Sequence, residues 1–472
     1  MNRVSLSRRN FLASAGSTLL AAPLLTSSES LAAAQPPPRT AGQAMPASAP
    51  PALTLNVRDF GAAGDGRTKN TRAIQEAIDR CAVLGGGEVF VPSGTCLTGA
   101  VALRSHTLLR LDKDAVLQGS PDMNDYPVTQ VRWEGKWIEG HIALIYAIDA
   151  ANVGVAGAGH IAGDPALGGR PTAEDPLRHP ALIEFIRCAN IRLQDFSTSY
   201  QHMWSIHPAD CVDVLIRGLT IRSTGGNGDG IDIDSCRRVW IDGCDISTGD
   251  DCISLKSGRG EEGYTLHRPT EDVRIAHCTF ADSIFACIGI GSETSGGIRN
   301  VRIEHCRFTH ARTFAIYIKS RPGRGAFIQD ISATDLDAAG VEGGFLRLNL
   351  LNSGIRDPFP VPGLSGIPAA ANFRFSRIHV SGCRILVDGT SISPEKPLHG
   401  FTLADVTGTC AKGIELANIT NADIRNIAVT GYSGPLLAIH NVTGKGLNGA
   451  AAIEGPRQPE AIPPPQEPYR LH

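Results

Sequence analysis

Most of the chain beyond residue 150 consists of short runs in which apolar and polar residues alternate. The clearest runs are ANIRLQDF from Ala189, VDVLIRGLTI from Val212, RRVWIDGCDI from Arg237, EDVRIAHCTF from Glu271 and RNVRIEHCRF from Arg299. A period of two is the pattern of a β-strand with one buried face. Gly, Asn, Asp and Ser separate the runs, as is typical of turns.

The runs form a repeat when they are aligned on one polar position. That position is Asn190, Asp213, Arg238, Asp272, Asn300 and Asp330, with spacings of 23, 25, 34, 28 and 30 residues. Strand-rich repeats of roughly 20–30 residues are typical of a solenoid in which each repeat makes one coil. One coil cannot bury its apolar face alone, so coils stack at about 4.8 Å. The pattern therefore predicts an all-β fold, a parallel β-helix.

One segment shows the period of a helix instead. From about Asn70 to Val83, the residues that share one helical face are Ile74, Ala77, Ile78, Cys81 and Ala82. Asn70 or Thr71 is the predicted N-cap, and Gly85 the predicted stop. We expect this helix to cover the open N-terminal end of the coil stack, where unpaired strand edges need protection.

The ends of the chain have a different composition. Arg8-Arg9, an apolar run and the small residues Ala32-Ala33-Ala34 predict a twin-arginine export signal over residues 1–34. A Pro/Ala-rich linker (35–52), one β-helix domain (53–447) and a Pro-rich tail (448–472) follow. We therefore expect a periplasmic or secreted protein. No run reaches the roughly 18 apolar residues of a membrane-spanning helix.

Charge and cysteine content narrow the function classes. The chain of 472 residues has 44 Lys+Arg and 47 Asp+Glu, which argues against a nucleic-acid binder. Among its 12 Cys, a recurrent corner position is predicted for Cys188, Cys244, Cys278 and Cys306, as a stack of inward thiols. Without a CxxC pair, structural zinc is not expected, and we expect neither a metal nor a cofactor. We also expect a monomer.

The densest chemistry lies between Thr224 and Gly258. Asp229 stands in NGDG, and Asp250-Asp251 stand in TGDDC, 21 residues later. Because 21 residues make about one coil, these carboxylates should meet on one outer face, with Gly249 providing a bulge or turn. Such crowding should raise at least one carboxyl pKa. An acid beside ionised partners is what glycosidic hydrolysis needs. The alternative, that each motif is only a turn, becomes weaker when two occur one coil apart.

These motifs resemble those of the polygalacturonase-type glycoside hydrolases, a pectin-cleaving family of right-handed parallel β-helices. The resemblance extends over DFGAAGDG, GGGEVFVPSGTCLTGAVAL, WSIHP, NGDGIDIDSC, TGDDCISLKSG, IGSETSGG and IYIKSRPGRG. It implies that Asp250 is the general acid and that Asp229 and Asp251 activate water, with inversion. One-coil stacking would place the carboxylates nearer 5 Å than the roughly 6.5–9.5 Å usual for inversion. We nevertheless expect inversion, as the resemblance implies.

Two positions depart from the family pattern. Phe285 stands where the family has a His, and Tyr317 replaces the Arg of an Arg-Ile-Lys motif whose Lys319 is kept. A lone Lys cannot form the bidentate contact of Arg with a carboxylate, whereas Phe285 and Tyr317 offer stacking surface to a sugar. We therefore expect a pectic substrate with a neutral or deoxy sugar, such as rhamnose, at the cleaved position.

Further substrate contacts are predicted for Asn227 in NGDG, His207 in WSIHP, Lys256 after the Asp pair, and Glu293 in GSETSGG. The alternatives for the last three are a packed histidine, a solvated lysine, and a glutamate that binds backbone amides. The Pro/Gly-rich stretch 353–372 is predicted to be a long loop that shapes one end of the cleft and makes the enzyme exo-acting.

Two other functions remain compatible with the sequence. A polysaccharide lyase can share the β-helix but would need Ca²⁺ and a basic residue that abstracts a proton. A non-catalytic carbohydrate-binding β-helix is suggested by the missing His and Arg.

Overall fold

A computed structural model describes residues 53–458 and residue 462. The predicted export signal and linker, together with most of the Pro-rich tail, lie outside the described residues. Thirty-one strands form one continuous parallel sheet that winds around the molecule, and a separate antiparallel hairpin joins Val128–Trp133 to Lys136–His141. The fold is a parallel β-helix, as the repeat predicts.

The strands stack in three rows, because each strand pairs with the strand one coil later. Row A contains Thr54–Asn56, Gly87–Val91, Thr107–Leu111, Ala151–Ala156, Ala189–Gln194, Val212–Arg217, Arg237–Asp242 and Thr270–Ala276. Row B contains Asp65–Lys69, Gly94–Thr98, Ala115–Gly119, His160–Ala162, Ser197–Gln201, Thr220–Thr224, Asp245–Thr248 and Thr279–Ser283. Row C contains Val101–Ala102, Ile145–Ile148, Ile183–Ile186, Ile206–Ala209, Ile231–Asp234, Ile253–Lys256, Ile288–Ile290, Phe314–Lys319 and Gly344–Asn349.

In the later coils the corners between rows disappear into long bent strands. Ile298–Phe308 and Phe327–Ala339 continue rows A and B, and Ala369–Ser391 also pairs with the last strand of row C. Leu398–Thr430, Leu437–Lys445 and Ala451–Ala452 complete the stack. The row C face therefore runs along the molecule as a continuous surface, and this face carries the candidate site.

The predicted N-terminal helix is present as Thr71–Val83, with its apolar face buried. It packs against the first coil, where the side chain of Gln75 accepts from the amide of Ala102 (2.7 Å) and donates to its carbonyl (3.0 Å). The role of this helix as a cap stays a prediction. Asn70 occupies the N-cap, but its side chain accepts from the amide of Ala63 (2.6 Å) instead.

A second α-helix, Gly260–Leu266, was not predicted. It has only seven residues, and Gly260 and Gly263 lie within it, so it lacks the long apolar period of a helix. Four single-turn 3-10 helices complete the elements: Val57–Phe60, Met123–Asp125, Pro165–Leu167 and Gly363–Gly366.

The polar position of the repeat has a clear structural cause. Its six residues adopt the left-handed conformation, with φ between 53° and 58°. Asn and Asp tolerate this conformation better than other non-Gly residues. Their side chains also bond from coil to coil. Arg238 donates to both carboxylate oxygens of Asp213, at 2.6 and 2.8 Å. The repeat thus marks the corner through which the chain enters row A.

The four cysteines of the prediction lie at two corners of the coil and not at one. Cys188 precedes row A and stacks with Cys211 and Cys236, whose sulfurs lie 3.4 and 3.3 Å from the amide nitrogens one coil earlier. Cys244, Cys278 and Cys306 stack at the entrance to row B. The prediction of a single corner for Cys188 and the other three was therefore wrong, because a sequence spacing does not distinguish two corners of one coil. All twelve cysteines lie in the described part, buried and unpaired.

Candidate active site

Three aspartates converge where the chain enters row C. Asp229 precedes the strand Ile231–Asp234, and Asp250 and Asp251 precede the next strand of the row, Ile253–Lys256. Each offers a carboxylate oxygen, and these oxygens lie within 4.8 Å of one another. The convergence confirms what the one-coil spacing predicts. Asp229 and Asp251 are buried, and Asp250 is half-buried.

The positions of the aspartates depend on close contact between the backbones of neighbouring coils. A Cβ on Gly249 would lie 2.2 Å from the carbonyl oxygen of Gly225 one coil earlier, so only glycine fits there. Asn227 adopts the left-handed conformation (φ 58°), and its amide donates to Asp250 Oδ2 at 3.2 Å. Gly249 therefore provides room for a neighbouring coil, and Asn227 orients the carboxylate of Asp250 through its backbone.

The electrostatics of the three carboxylates reflect burial and crowding. Burial raises the pKa of Asp229 well above its ordinary value, and the charges of Asp232 and Asp250 raise it further. Burial also raises the pKa of Asp251, although the ammonium of Lys319, 2.6 Å from Asp251 Oδ2, opposes this rise. The site therefore retains a proton on this pair more readily than isolated carboxyls would.

A buried ion cluster lies beside the three aspartates. Lys256 Nζ is 3.3 Å from Asp232 Oδ1 and 3.8 Å from Glu293 Oε1. Burial raises the pKa of Asp232 to about 8, against the opposing charge of Lys256. Burial would raise the pKa of Glu293, but the charges of Lys256, Arg324 and Lys319 together lower it. The structure thus pairs the predicted contacts Lys256 and Glu293 with each other, so Lys256 is not a solvated surface lysine.

Phe285 and Tyr317 form an aromatic pair around Lys319. Their ring centroids are 5.8 Å apart, and Lys319 Nζ lies 4.6 Å from the Phe285 centroid and 5.5 Å from that of Tyr317. The tyrosine hydroxyl is 3.3 Å from both Asn349 Nδ2 and Ser353 Oγ. The two departures from the family pattern therefore lie together at Lys319.

His207 lies on the row C face one coil before Asp232, and its side chain is fully buried. Its Nδ1 is 2.9 Å from Glu184 Oε1, and its ring contacts Trp204 edge-on at 4.7 Å. Glu184 also accepts from both Nη atoms of Arg178, at 2.7 and 3.0 Å. Burial would raise the pKa of Glu184, but the guanidinium of Arg178 and the hydrogen bond with His207 lower it to about 2.

The row C face is covered on the N-terminal side of the aspartates. The hairpin 128–141 lies over it, because Arg132 Nε donates to Asp234 Oδ2 (2.9 Å) and Trp133 packs on Trp204 (4.7 Å between centroids). Glu184 and Arg178 are fully buried beneath this cover. On the C-terminal side, the side chain of Arg347 is 36% exposed. The row C face is therefore covered beside Glu184 and Arg178 and partly exposed at Arg347.

The long loop predicted at 353–372 ends earlier than expected. Strand Ala369–Ser391 begins within the predicted range, so Ala369 to Asn372 belong to a strand. The loop is anchored by Asp357, which lies 3.1 Å from Arg259 Nε and 3.4 Å from Lys136 Nζ. Its contact with Tyr317 through Ser353 places its first residues at the cleft.

Several residues at the site were not predicted: Asp232, Glu184, Arg178 and Arg347. The sequence IDID could have indicated Asp232, because its polar residues alternate with isoleucines and point outward next to Asp229. The other three residues depend on strand register or on the fold of the hairpin. Carboxylate oxygens as close as those of Asp229, Asp250 and Asp251 have the chemistry to bind a hard cation, and a chelator tests this possibility.

The fold and the convergent carboxylates define a glycoside hydrolase built on a parallel β-helix. The model of the family "Glycosyl hydrolases family 28" matches residues 81–345. The chain therefore belongs to family 28 of the glycosyl hydrolases and is a glycosidase.

Relatives support the same assignment. A "Probable polygalacturonase" from Vitis vinifera is 31% identical over 80% of this chain and 78% of its own length. An "Exo-poly-alpha-D-galacturonosidase" from Dickeya chrysanthemi is 27% identical over 57% of this chain and 52% of its own. The crystal structure of an exopolygalacturonase from Thermotoga maritima has a TM-score of 0.71 at 26% identity, covering 81% of this chain and 93% of that one.

Proposed function

We propose that the protein hydrolyses galacturonan-type pectic chains from one end, with inversion, through Asp229, Asp250 and Asp251. The observation that carries the proposal is the convergence of these three carboxylates within 4.8 Å in a family 28 chain. The relatives named polygalacturonase and exo-poly-alpha-D-galacturonosidase support a galacturonate-containing substrate.

Each aspartate has a defined role in this proposal. Asp250, the most accessible of the three, protonates the leaving glycosidic oxygen. Asp229 and Asp251 hold the attacking water. Because their crowding favours one shared proton, one of the pair is ionised and accepts a proton from that water. Lys319, 2.6 Å from Asp251, stabilises the ionised form.

Exo action is supported by the cover over the row C face on one side of the aspartates. In this proposal a chain end stops against the hairpin 128–141 and the buried pair Arg178–Glu184. The released product should be a monomer or short oligomer from the first turnovers, with little early loss of polymer viscosity. Rapid loss of viscosity with mixed oligomers would contradict exo action.

The test of the catalytic assignment is Asp250→Asn. We expect hydrolysis of polygalacturonate to fall by at least about 10³-fold while the circular dichroism spectrum is unchanged. Asp337→Asn, at a half-exposed position on another face, is the matched control and should retain full activity. Full activity in the Asp250 variant would exclude this mechanism.

Product stereochemistry tests inversion directly. Carboxylate oxygens within 4.8 Å would by themselves suit retention, so the anomer that first appears by NMR is decisive. If the product keeps the anomeric configuration of the substrate, Asp229 or Asp251 acts as a nucleophile and not as a base.

A panel of pectic substrates, assayed with and without EDTA, distinguishes the substrate class and the reaction class. Equal or faster cleavage of rhamnogalacturonan would favour the neutral-sugar interpretation of Phe285 and Tyr317. Loss of activity with EDTA, together with an unsaturated product absorbing in the ultraviolet, would indicate a lyase. Saccharide binding without release of reducing ends from any substrate would indicate a non-catalytic binding protein.

We also propose export through the twin-arginine route, on the strength of Arg8-Arg9 and the apolar run that follows. Within the described residues, no helix has the length and apolarity needed to cross a bilayer. Replacing Arg8-Arg9 by Lys-Lys should leave active protein in the cytoplasm, and unchanged export would contradict the proposal.

A further inference from the structure

The aromatic pair at the cleft has a cation on each side. Tyr317 pairs in register with Arg347 one coil later, and the guanidinium carbon of Arg347 lies 5.3 Å from the Tyr317 centroid and 5.4 Å from that of Phe314. On the other side, Lys319 contacts Phe285 and Tyr317. A guanidinium over an aromatic face is held in orientation by cation–π attraction and by stacking.

The register fixes how far Arg347 lies from the catalytic centre. Gly289 precedes Tyr317 in the same column of row C, and a Cβ on Gly289 would lie 2.4 Å from Asp251 Oδ2. Asp251 therefore occupies the space above Gly289, and Tyr317 and Arg347 follow on the next two coils. Two strand spacings amount to about 10 Å, which places Arg347 within reach of a sugar next to the scissile bond.

The guanidinium of Arg347 has hydrogen-bond donors available for a ligand. Its Nε is 3.3 Å from Asp388 Oδ2, and the side chains of Arg347 and Asp388 are 36% and 25% exposed. A guanidinium has five N–H donors, of which one carboxylate can bind two. The cation therefore keeps N–H donors that Asp388 does not use.

We propose that Arg347, held against Phe314 and Tyr317, binds a carboxylate of the substrate on the open side of the catalytic aspartates. It replaces, one coil further along the row, the cation that is missing at Tyr317. This inference rests on the proposed function for its substrate class, an anionic uronate chain. It also changes the expectation drawn from Tyr317 alone, because the cleft regains a planar, bidentate cation.

The test measures binding and does not require turnover. Trigalacturonate and its fully methyl-esterified form are titrated calorimetrically into Asp250→Asn protein, with and without Arg347→Gln. We expect Arg347→Gln to weaken binding of the acid by about 10- to 100-fold and to leave binding of the ester nearly unchanged. An equal loss for acid and ester, or no loss for either, would overturn the proposal.

Asp388→Asn separates ligand binding from a merely structural ion pair. If Arg347 binds substrate, removal of the competing carboxylate of Asp388 should tighten binding of the acid. If the pair is only structural, Arg347→Gln and Asp388→Asn should weaken binding alike, and the proposal fails. Arg347→Lys should restore part of the preference for the acid, because it keeps the charge without the planar fork.

Arg374→Gln is the matched control. Arg374 is an exposed arginine on the row A part of Ala369–Ser391, away from the cleft, and its removal should change neither affinity. The kinetics of the otherwise unaltered enzyme separate this proposal from the proposed function. Absence of hydrolysis in the parent protein with intact preference for the acid would refute the hydrolase mechanism and leave the Arg347 site standing.

Discussion

At the scale of single residues, the contact of Lys319 with Asp251 decides how the catalytic pair is charged. Burial raises the pKa of Asp251, and Lys319 is the largest opposing influence. The carboxylate in turn raises the pKa of Lys319, although burial alone would lower it. Each group therefore favours the charged form of the other, although burial still leaves the pKa of Asp251 raised.

Lys319→Gln should move the acid limb of the kcat/KM profile on polygalacturonate to higher pH. Without the ammonium, the pKa of Asp251 rises, so a higher pH is needed before the water-activating pair holds an ionised carboxylate. At the pH optimum we expect kcat to fall by about 100-fold. An acid limb at the same pH as the parent would show that Lys319 does not act through Asp251. Lys319→Arg, which keeps the charge, should shift the limb less.

Motifs predicted which residues converge at the candidate site, whereas single substitutions were harder to interpret. Asp229, Asp250, Asp251 and Lys319 stand in local patterns whose coil spacing brings them together. The effect of Tyr317 could not be derived in the same way. It depends on Arg347, which is 30 residues away and adjacent only through strand register. Sequence shows that a cation is lost at one position, but only the register shows that another cation lies on the next coil.

At the scale of elements, the turn before the aspartate pair is built on contact between two backbones. Gly249 lies against Gly225 of the previous coil, and its amide donates to the carbonyl of Gly228 at 3.2 Å. The loop that carries Asp229 and the loop that carries Asp250 therefore touch directly. Their mutual distance, which the chemistry needs within a fraction of an ångström, depends on the absence of a side chain.

Gly249→Ala should lower kcat by about 100-fold and destabilise the protein by about 1–3 kcal/mol. The added methyl group would lie 2.2 Å from a backbone oxygen, so the two loops must separate. Gly226→Ala is the matched control, because a Cβ there would meet no heavy atom within 4 Å, and it should behave like the parent. The readouts are kcat and urea unfolding. Equal activity of the two variants would refute the account of this turn.

The strand elements were largely predictable, and the elements that close the cleft were not. The polar position of the repeat gives the corners of successive coils because the residue at that corner is left-handed in each of them. The hairpin 128–141 and the helix Gly260–Leu266 lie outside the repeat, so no periodic pattern in the sequence predicts them. They cover the site through Arg132, which contacts both Asp234 and Glu262. Such ion pairs between distant segments leave no pattern in the sequence.

At the scale of the whole molecule, stability comes from the stack itself. The row C strands place isoleucines in register from coil to coil: Ile183, Ile206, Ile231, Ile253, Ile288 and Ile316. All of them are buried. Each coil buries its neighbours' apolar faces, so the described chain has a core as long as the stack. A chain with this core does not depend on covalent cross-links for its fold.

The melting temperature should accordingly be the same with and without dithiothreitol. The twelve cysteines are buried and free, and each occupies the volume of a small apolar side chain. A native disulfide would typically contribute about 2–4 kcal/mol, and reduction would then lower the melting temperature by several degrees.

Thiol titration supplies the second measurement. Twelve thiols should react in denaturant and nearly none in the folded protein. A lower count in denaturant would mean that cysteines are oxidised in pairs. Because no bond has to form after translocation, this composition suits a protein that is exported already folded, the route proposed from its twin arginines.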